Sequence, residues 1–251
     1  MSGLRRLTLT ICVALGVGQA DAQEIEVRAF VKKAVDAHGG AEVLNKFHAS
    51  TTKFKGAVEL MGQMREFSGE MSYQGPDKFK IVSSLVINNQ AFQFVHVFNG
   101  KKFWIAELGK TKEITDEKVV KQTRYTLGLD SPSYLVSLLD KDHELNTVGD
   151  LKVKDHDALG IRASKKGQPD ITTLFFDKKR HLLVKTEMRV LDAATEQEYT
   201  QEKFILDYKD VNGVKTAGRL VIQKDGKDFI DLELSETRHF EKLDDSDFAM
   251  P

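Results

Sequence analysis

The chain lacks the features that cross-link, subdivide or strongly charge a protein. It has a single cysteine, Cys12, so no disulfide can form within it. Only four prolines occur in 251 residues, and no Pro-rich or Gly/Ser-rich linker marks a boundary between domains. Lys and Arg number 37 against 38 Asp and Glu, and this near-neutral balance gives no support for nucleic acid as a partner.

Long hydrophobic runs are also missing. The candidate run, Leu7–Gly18, has only about half of the roughly 20 apolar residues needed to cross a bilayer. Two arginines precede it, and small residues flank a cleavage point after Ala22. This layout predicts a cleaved secretory signal peptide, residues 1–22, and an exported mature chain, residues 23–251, without a transmembrane segment.

The mature chain changes its hydrophobic period near residue 50. Before that point, apolar residues recur every three or four positions and a Gly-Gly pair follows, which predicts an amphipathic helix. After it, alternation of apolar and polar residues predicts about five antiparallel strands up to Leu108 and about six more strands in the last part of the chain. Between the two groups of strands, helices are predicted near 115–126 and 131–139, with Ser131 as the N-cap of the second helix. So many strands require a sheet that curls, and the helices would cover its concave face.

One predicted strand is apolar on both sides. Its alternate positions place Phe92, Phe94, His96 and Phe98 on one face, and Ala91, Val95 and Val97 on the other. A strand covered on one side only alternates apolar with polar residues, so this strand needs protein or ligand on each face. His96 is therefore either a hydrogen-bonded core histidine or a contact to a ligand.

Sequence motifs for catalysis are absent, including a Gly-rich phosphate loop, Gly-x-Ser-x-Gly and His-Glu-x-x-His. Two trios place a histidine beside carboxylates and suggest a weak metal site or a general base: Asp142-His143-Glu144 and Asp155-His156-Asp157. Consecutive residues of a strand point to opposite faces, so we interpret both trios as solvated loops. His38 is interpreted as a cap of the first helix. We expect no enzymatic activity, no cofactor and no metal.

Several short segments occur in a characteristic order along the chain. They are Phe47-His48-Ala49-Ser50, Gly75-Pro76-Asp77-Lys78-Phe79, Asn99-Gly100-Lys101-Lys102-Phe103-Trp104, Asp130-Ser131-Pro132-Ser133-Tyr134-Leu135 and Leu182-Leu183-Val184-Lys185. Together they resemble the periplasmic outer-membrane lipoprotein carriers, with the LolA-like and LolB-like fold. The broader lipoprotein-sorting-like set is similar also at Ala37-His38-Gly39-Gly40 and in the hairpin around Asn212-Gly213, so the resemblance covers nearly the whole mature chain.

The resemblance implies a periplasmic, mainly β (α+β) domain over residues 23–251. Its curved antiparallel sheet would form an unclosed β-barrel, with helices covering an apolar hollow that shelters acyl chains of lipoproteins. Two positions depart from the family. The broader set tends to have a proline soon after Gly213-Val214-Lys215, where this chain has Thr216-Ala217-Gly218. Carriers that exchange lipoproteins have an arginine immediately before the matched proline, tied to holding the closed lid, where this chain has Gly75.

We therefore expect a periplasmic carrier that binds lipid or lipoprotein acyl chains in an apolar cavity. The expected lining residues are Phe92, Phe94 and Phe98, with Trp104 and Tyr134 as second choices; ordinary core packing is the alternative for all five. The alternative function is a non-enzymatic interaction or sensor module of the cell envelope, which would keep this fold and bind a protein partner.

Overall fold

A computed structural model describes residues 17–87, 90–192 and 197–251, with side chains from residue 24 onward. The first half contains α1 (Val17–Ala37), α2 (Ala41–Lys46), β1 (Ala49–Leu60), β2 (Gln63–Gln74), β3 (Lys78–Ile87), β4 (Gln90–Asn99), β5 (Phe103–Glu107) and β6 (Lys110–Ile114). The second half contains α3 (Glu117–Leu129), α4 (Tyr134–Ser137), β7 (His143–Val153), β8 (His156–Lys165), β9 (Ile171–Asp177), β10 (Leu183–Leu191), β11 (Glu198–Val211), β12 (Val214–Lys224) and β13 (Lys227–Phe240). A 3₁₀ helix, Asp245–Phe248, follows.

These thirteen strands form one antiparallel sheet in the order β6-β5-β4-β3-β2-β1-β13-β12-β11-β10-β9-β8-β7. Neighbours in the sheet are neighbours in the chain except at its centre, where β1 pairs with β13 and Phe54 stands opposite Leu234. The edges of the sheet are β6 and β7, and the chain joins them through α3 and α4. The sheet is not closed, which confirms the mainly β class and the unclosed antiparallel architecture expected from the sequence.

The four helices pack on one face of the sheet, which we call the inner face. Strand register places Phe98 of β4 and Leu174 of β9 on this face. α1, α2 and α4 cover β7 to β9, where Val31, Leu138 and Phe176 are fully buried. α3 covers the opposite half, where it packs against an aromatic cluster on β2 to β5 that includes Phe98. The inner face is therefore covered from both of its edges.

Two glycines let the central strands approach each other closely. A Cβ on Gly56 would lie 1.8 Å from the carbonyl oxygen of Asp231, and one on Gly69 would lie 2.8 Å from the ring of Phe54. The rings of Phe54 and Phe67 instead pack together on the inner face, 5.3 Å apart. A larger side chain at either glycine would push the strands or these rings apart.

The edge strand β6 was not predicted from the sequence. The meander continues past Leu108 through a two-residue turn, in which Leu108 and Gly109 have φ values of 51° and 72°. Four of the five β6 residues are exposed and three are charged, so hydrophobic alternation does not reveal this strand. Charged edge strands of this kind limit pairing with other sheets.

The two helices between β6 and β7 differ in how well they were predicted. α3 begins after Asp116, whose Oδ1 accepts hydrogen bonds from the backbone N–H groups of Lys118 and Val119, at 2.8 and 3.2 Å. α4 has only four residues, and the predicted N-cap role of Ser131 is wrong. The carbonyl of Ser131 accepts from the N–H of Tyr134 in a preceding turn, and its hydroxyl pairs with Ser133.

No helix within the described ranges has both the length and the apolar character to span a membrane. The predicted signal peptide, residues 1–22, lies outside the described side chains, and its first 16 residues lie outside the described backbone.

Candidate functional site

The aromatic strand singled out from the sequence is β4, whose inner face changes character along its length. Phe98, at one end, is fully buried beneath α3, with the Arg124 guanidinium carbon 5.8 Å from its ring centre. Phe92 and Phe94, toward the other end, are partly exposed, and His96 lies between. The inner face of β4 therefore passes from a filled core to an open apolar surface.

The neighbouring strands extend this open surface. Register places Ile81 of β3 and Ile105 of β5 on either side of His96, and Met71 of β2 beside Ile81. We define the hollow as the inner-face surface formed by Phe67, Met71, Ile81, Phe92, Phe94, His96 and Ile105, each partly exposed. Alternation in the sequence identifies one face of each strand, but not which strands stand side by side. For that reason the sequence did not identify the hollow residues on β2, β3 and β5 as neighbours of Phe92 and Phe94.

α3 forms a loosely packed cover on one side of the hollow. None of its side chains is fully buried, although Val119 and Leu127 contact the aromatic cluster around Phe98. α4 is fixed more firmly, because Leu138 is fully buried and Arg28 of α1 donates hydrogen bonds to carbonyl oxygens at the end of α4 and the start of β7, the shortest at 2.7 Å. The less firmly packed part of the cover is therefore α3.

Two tyrosine hydroxyls attach α3 to opposite parts of the sheet. The Tyr73 hydroxyl of β2 donates to the carbonyl oxygen of Leu127 at 3.0 Å. The Tyr125 hydroxyl of α3 lies 2.6 Å from Oγ1 of Thr172 on β9. Burial raises the pKa of both phenols, so they stay protonated and able to donate at neutral pH. The helix thus bridges the two halves of the inner face.

Gly75 lies directly beside the first of these attachments. A Cβ at this position would come within 2.9 Å of both the Tyr73 hydroxyl and the Ser131 hydroxyl. The position at which the carriers have an arginine therefore has no free space for a side chain here. The bond to the cover helix comes instead from Tyr73, two residues earlier in the chain.

The two second-choice lining residues lie elsewhere. Trp104 is on the opposite face of the sheet, where it packs with Val97 beneath Phe248 of the 3₁₀ helix. That helix supplies the protein cover that the second apolar face of β4 requires. Tyr134 joins the core under α1, α2 and α4, with its ring 6.5 Å from that of His143. The structure thus brings Phe92, Phe94 and Phe98 together on the inner face of β4, whereas Trp104 lies on the outer face and Tyr134 belongs to the separate core around α1, α2 and α4.

Two histidines outside the hollow, His38 and His156, have polar protein partners. His38 Nδ1 lies 2.7 Å from the Ala34 carbonyl oxygen, the capping contact expected at the end of α1, and burial lowers its pKa. His156 Nδ1 pairs with Asp177 at 2.9 Å rather than within its own trio. Among the described residues, no three His, Cys, Asp or Glu side chains are grouped so that they could hold a metal ion.

An unclosed antiparallel barrel with a helical cover over an apolar inner face is the LolA-like fold, and solved structures share it. The chain is similar to a DUF1329 family protein from Desulfovibrio piger, with a TM-score of 0.56 and 12% identity over 89% of this chain and 97% of that one. It is similar to a putative outer membrane lipoprotein-sorting protein domain from Vibrio parahaemolyticus, with a TM-score of 0.56 and 12% identity over 90% and 97% of the chains.

A LolA superfamily protein from Nitrosomonas europaea is also similar, with a TM-score of 0.53 and 10% identity over 89% of this chain and 97% of that one. No protein-family model matches the chain, and no curated protein matches its sequence. At such low identity the likeness establishes the LolA-like fold, and the function has to be argued from the hollow itself.

Proposed function

We propose that the protein is a periplasmic carrier that binds lipid or lipoprotein acyl chains in the hollow and does so without catalysis. The observation that carries this proposal is the partly exposed apolar surface of Phe92, Phe94 and their neighbours beside α3, a helix without a fully buried side chain. Contiguous exposed apolar surfaces on soluble proteins often mark ligand-binding grooves. Export by the predicted signal peptide, residues 1–22, agrees with this role.

The expected binding energy is sufficient for a carrier. Each methylene removed from water contributes about 0.8 kcal/mol, so ten methylenes would contribute roughly 8 kcal/mol before ordering costs. The hollow offers apolar contacts on four adjacent strands, β2 to β5, which favours a chain lying across the strands. Phe92 and Phe94 are the proposed contacts, and Phe98 supports them from the buried end of β4.

The test is native mass spectrometry with organic extraction on the exported protein, purified without detergent. We expect co-purifying acylated molecules at near-stoichiometric amounts. Phe94→Asp should remove them, because it places a charge on the inner face. Gln93→Asp is the matched control, since Gln93 is exposed on the opposite face of the same strand and its charge should leave the cargo bound. Lipid-free protein that takes up no added acyl chain would overturn the proposal.

A second candidate function is a non-enzymatic module that binds a protein of the cell envelope. It is favoured by exposed apolar residues at one end of the sheet, two of them in hairpin turns and one near the end of β3. These are Met61 (96% exposed), Leu108 (71%) and Val86 (54%). A stable envelope partner captured by lipid-free protein and lost on Met61→Ser and Leu108→Ser together would support this candidate.

A further inference from the structure

His96 is the imidazole-bearing side chain on the floor of the hollow, where Ser83 of β3 is also polar. It stands between Ile81 and Ile105 on adjacent strands, and its ring is edge-on to Phe103 at 6.2 Å. It forms no hydrogen bond or ion pair with any residue that the structure describes, although it is half-buried. The sequence left two roles open for this residue, and the structure lacks the hydrogen bond that the core role requires.

A bound chain that covered the imidazole without pairing with it would be costly, because the two ring nitrogens would lose hydrogen bonds to water. Burial lowers the pKa of His96, with the carboxylate of Glu107 opposing the shift. The ring is therefore neutral at pH 7 and offers one N–H donor and one nitrogen acceptor toward the hollow. A purely hydrocarbon ligand would leave both groups unsatisfied.

The surrounding charges favour a neutral partner for this ring. Glu107, opposite Phe94 on β5, is the charge that acts on His96. Lys112 shares the inner face but stands on β6, one strand beyond Ile105, and is exposed. An anionic group at His96 would lie near the Glu107 carboxylate, against a neutral imidazole that cannot neutralise it.

We propose that His96 hydrogen-bonds to an ester or hydroxyl group of the cargo, so that the protein selects acyl chains that carry such a group over plain hydrocarbon and over free fatty acid. This inference rests on the function proposed above. It adds a specificity-determining contact, because Phe92 and Phe94 bind any apolar chain alike, whereas His96 also fixes where along the chain the polar group lies.

The test compares three probes with similar chains on delipidated protein: 1-mono-oleoylglycerol, oleate and octadecene, each displacing a fluorescent apolar dye. We expect mono-oleoylglycerol to bind most tightly. His96→Leu should weaken its binding about tenfold, as for the loss of a hydrogen bond in an apolar site, and should leave octadecene binding as tight or tighter, because no imidazole is then left unsatisfied. His96→Gln, which keeps a donor and an acceptor, should recover most of the loss. The ¹⁵N resonances of the His96 ring should shift with mono-oleoylglycerol and not with octadecene.

The outcomes separate this inference from the proposed function. Wild-type protein that binds mono-oleoylglycerol and octadecene equally would keep the carrier function and overturn the role of His96. Tightest binding of oleate, or an equal loss of all probes in His96→Leu, would also overturn that role. Wild-type protein that binds none of the probes would overturn the carrier function, and this inference with it.

Discussion

The attachment of α3 by the Tyr73 hydroxyl can be tested with Tyr73→Phe, which deletes one oxygen and keeps the ring in the aromatic cluster. The lost bond, 3.0 Å from hydroxyl to carbonyl oxygen, is worth about 1 kcal/mol. The value stays at this level because the Leu127 carbonyl still accepts from the N–H of Asp130, also at 3.0 Å. A change of about 1 kcal/mol corresponds to roughly a fivefold shift toward an opened α3.

Hydrogen exchange measured by mass spectrometry is the suitable assay, because it reports local opening separately from global unfolding. Peptides from α3 should exchange about fivefold faster in Tyr73→Phe, with α4 peptides unchanged, since Arg28 and buried Leu138 hold α4 independently. Tyr125→Phe, at the β9 attachment, should accelerate the same α3 peptides. Unchanged α3 exchange, or equal acceleration throughout the domain, would refute α3 as a separately opening cover.

Three further predictions concern other parts of the fold. Gly75→Ala should destabilise the protein by about 1–3 kcal/mol, because its Cβ would crowd the Tyr73 and Ser131 hydroxyls. Gly128→Ala should stabilise α3 slightly, because the nearest atom to its Cβ would be 3.9 Å away. Chemical denaturation measures both changes. Phe248→Ala should uncover Trp104, the only tryptophan, and shift its fluorescence to longer wavelength; an unchanged spectrum would contradict that cover. Burial lowers the pKa of His38, so below about pH 6.5 the unfolded chain binds more protons than the folded chain, and the free energy of unfolding should fall as the pH falls. His38→Gln should reduce the slope of unfolding free energy against pH, and an unchanged slope would rule out His38 as a source of it.

The strand content of the fold was predictable because inner-face and outer-face positions alternate in sequence. Phe92, Phe94 and Phe98 were placed on one face correctly for this reason. Strand β6 was missed because four of its five residues are polar and exposed and the strand lies at an edge, where burial imposes little pattern. The cap of α4 was misplaced because the serine-proline pair that usually begins a helix forms a turn just before it.

The candidate site was predictable only in part. Trp104 shares an apolar strand with inner-face residues, but its neighbour in register on β4 is Val97, which fixes it on the outer face. Such pairings depend on turn lengths and bulges that one sequence does not specify. The Tyr73 attachment to α3 joins residues 54 positions apart, and only the folded chain shows that Gly75 leaves space for it.

The route of the chain between β6 and β7 has a mechanical consequence. Only two residues separate the end of β6 from α3, and five separate the end of α4 from β7. The segment that contains α3 and α4 is thus attached at both of its ends, to β6 and to β7, the two edge strands of the sheet. A cargo that lifts α3 would therefore also pull on β6 and β7, the two edges of the sheet. The spacing between β6 and β7 would then depend on the cargo. A second protein could contact these edge strands without reaching the cargo itself.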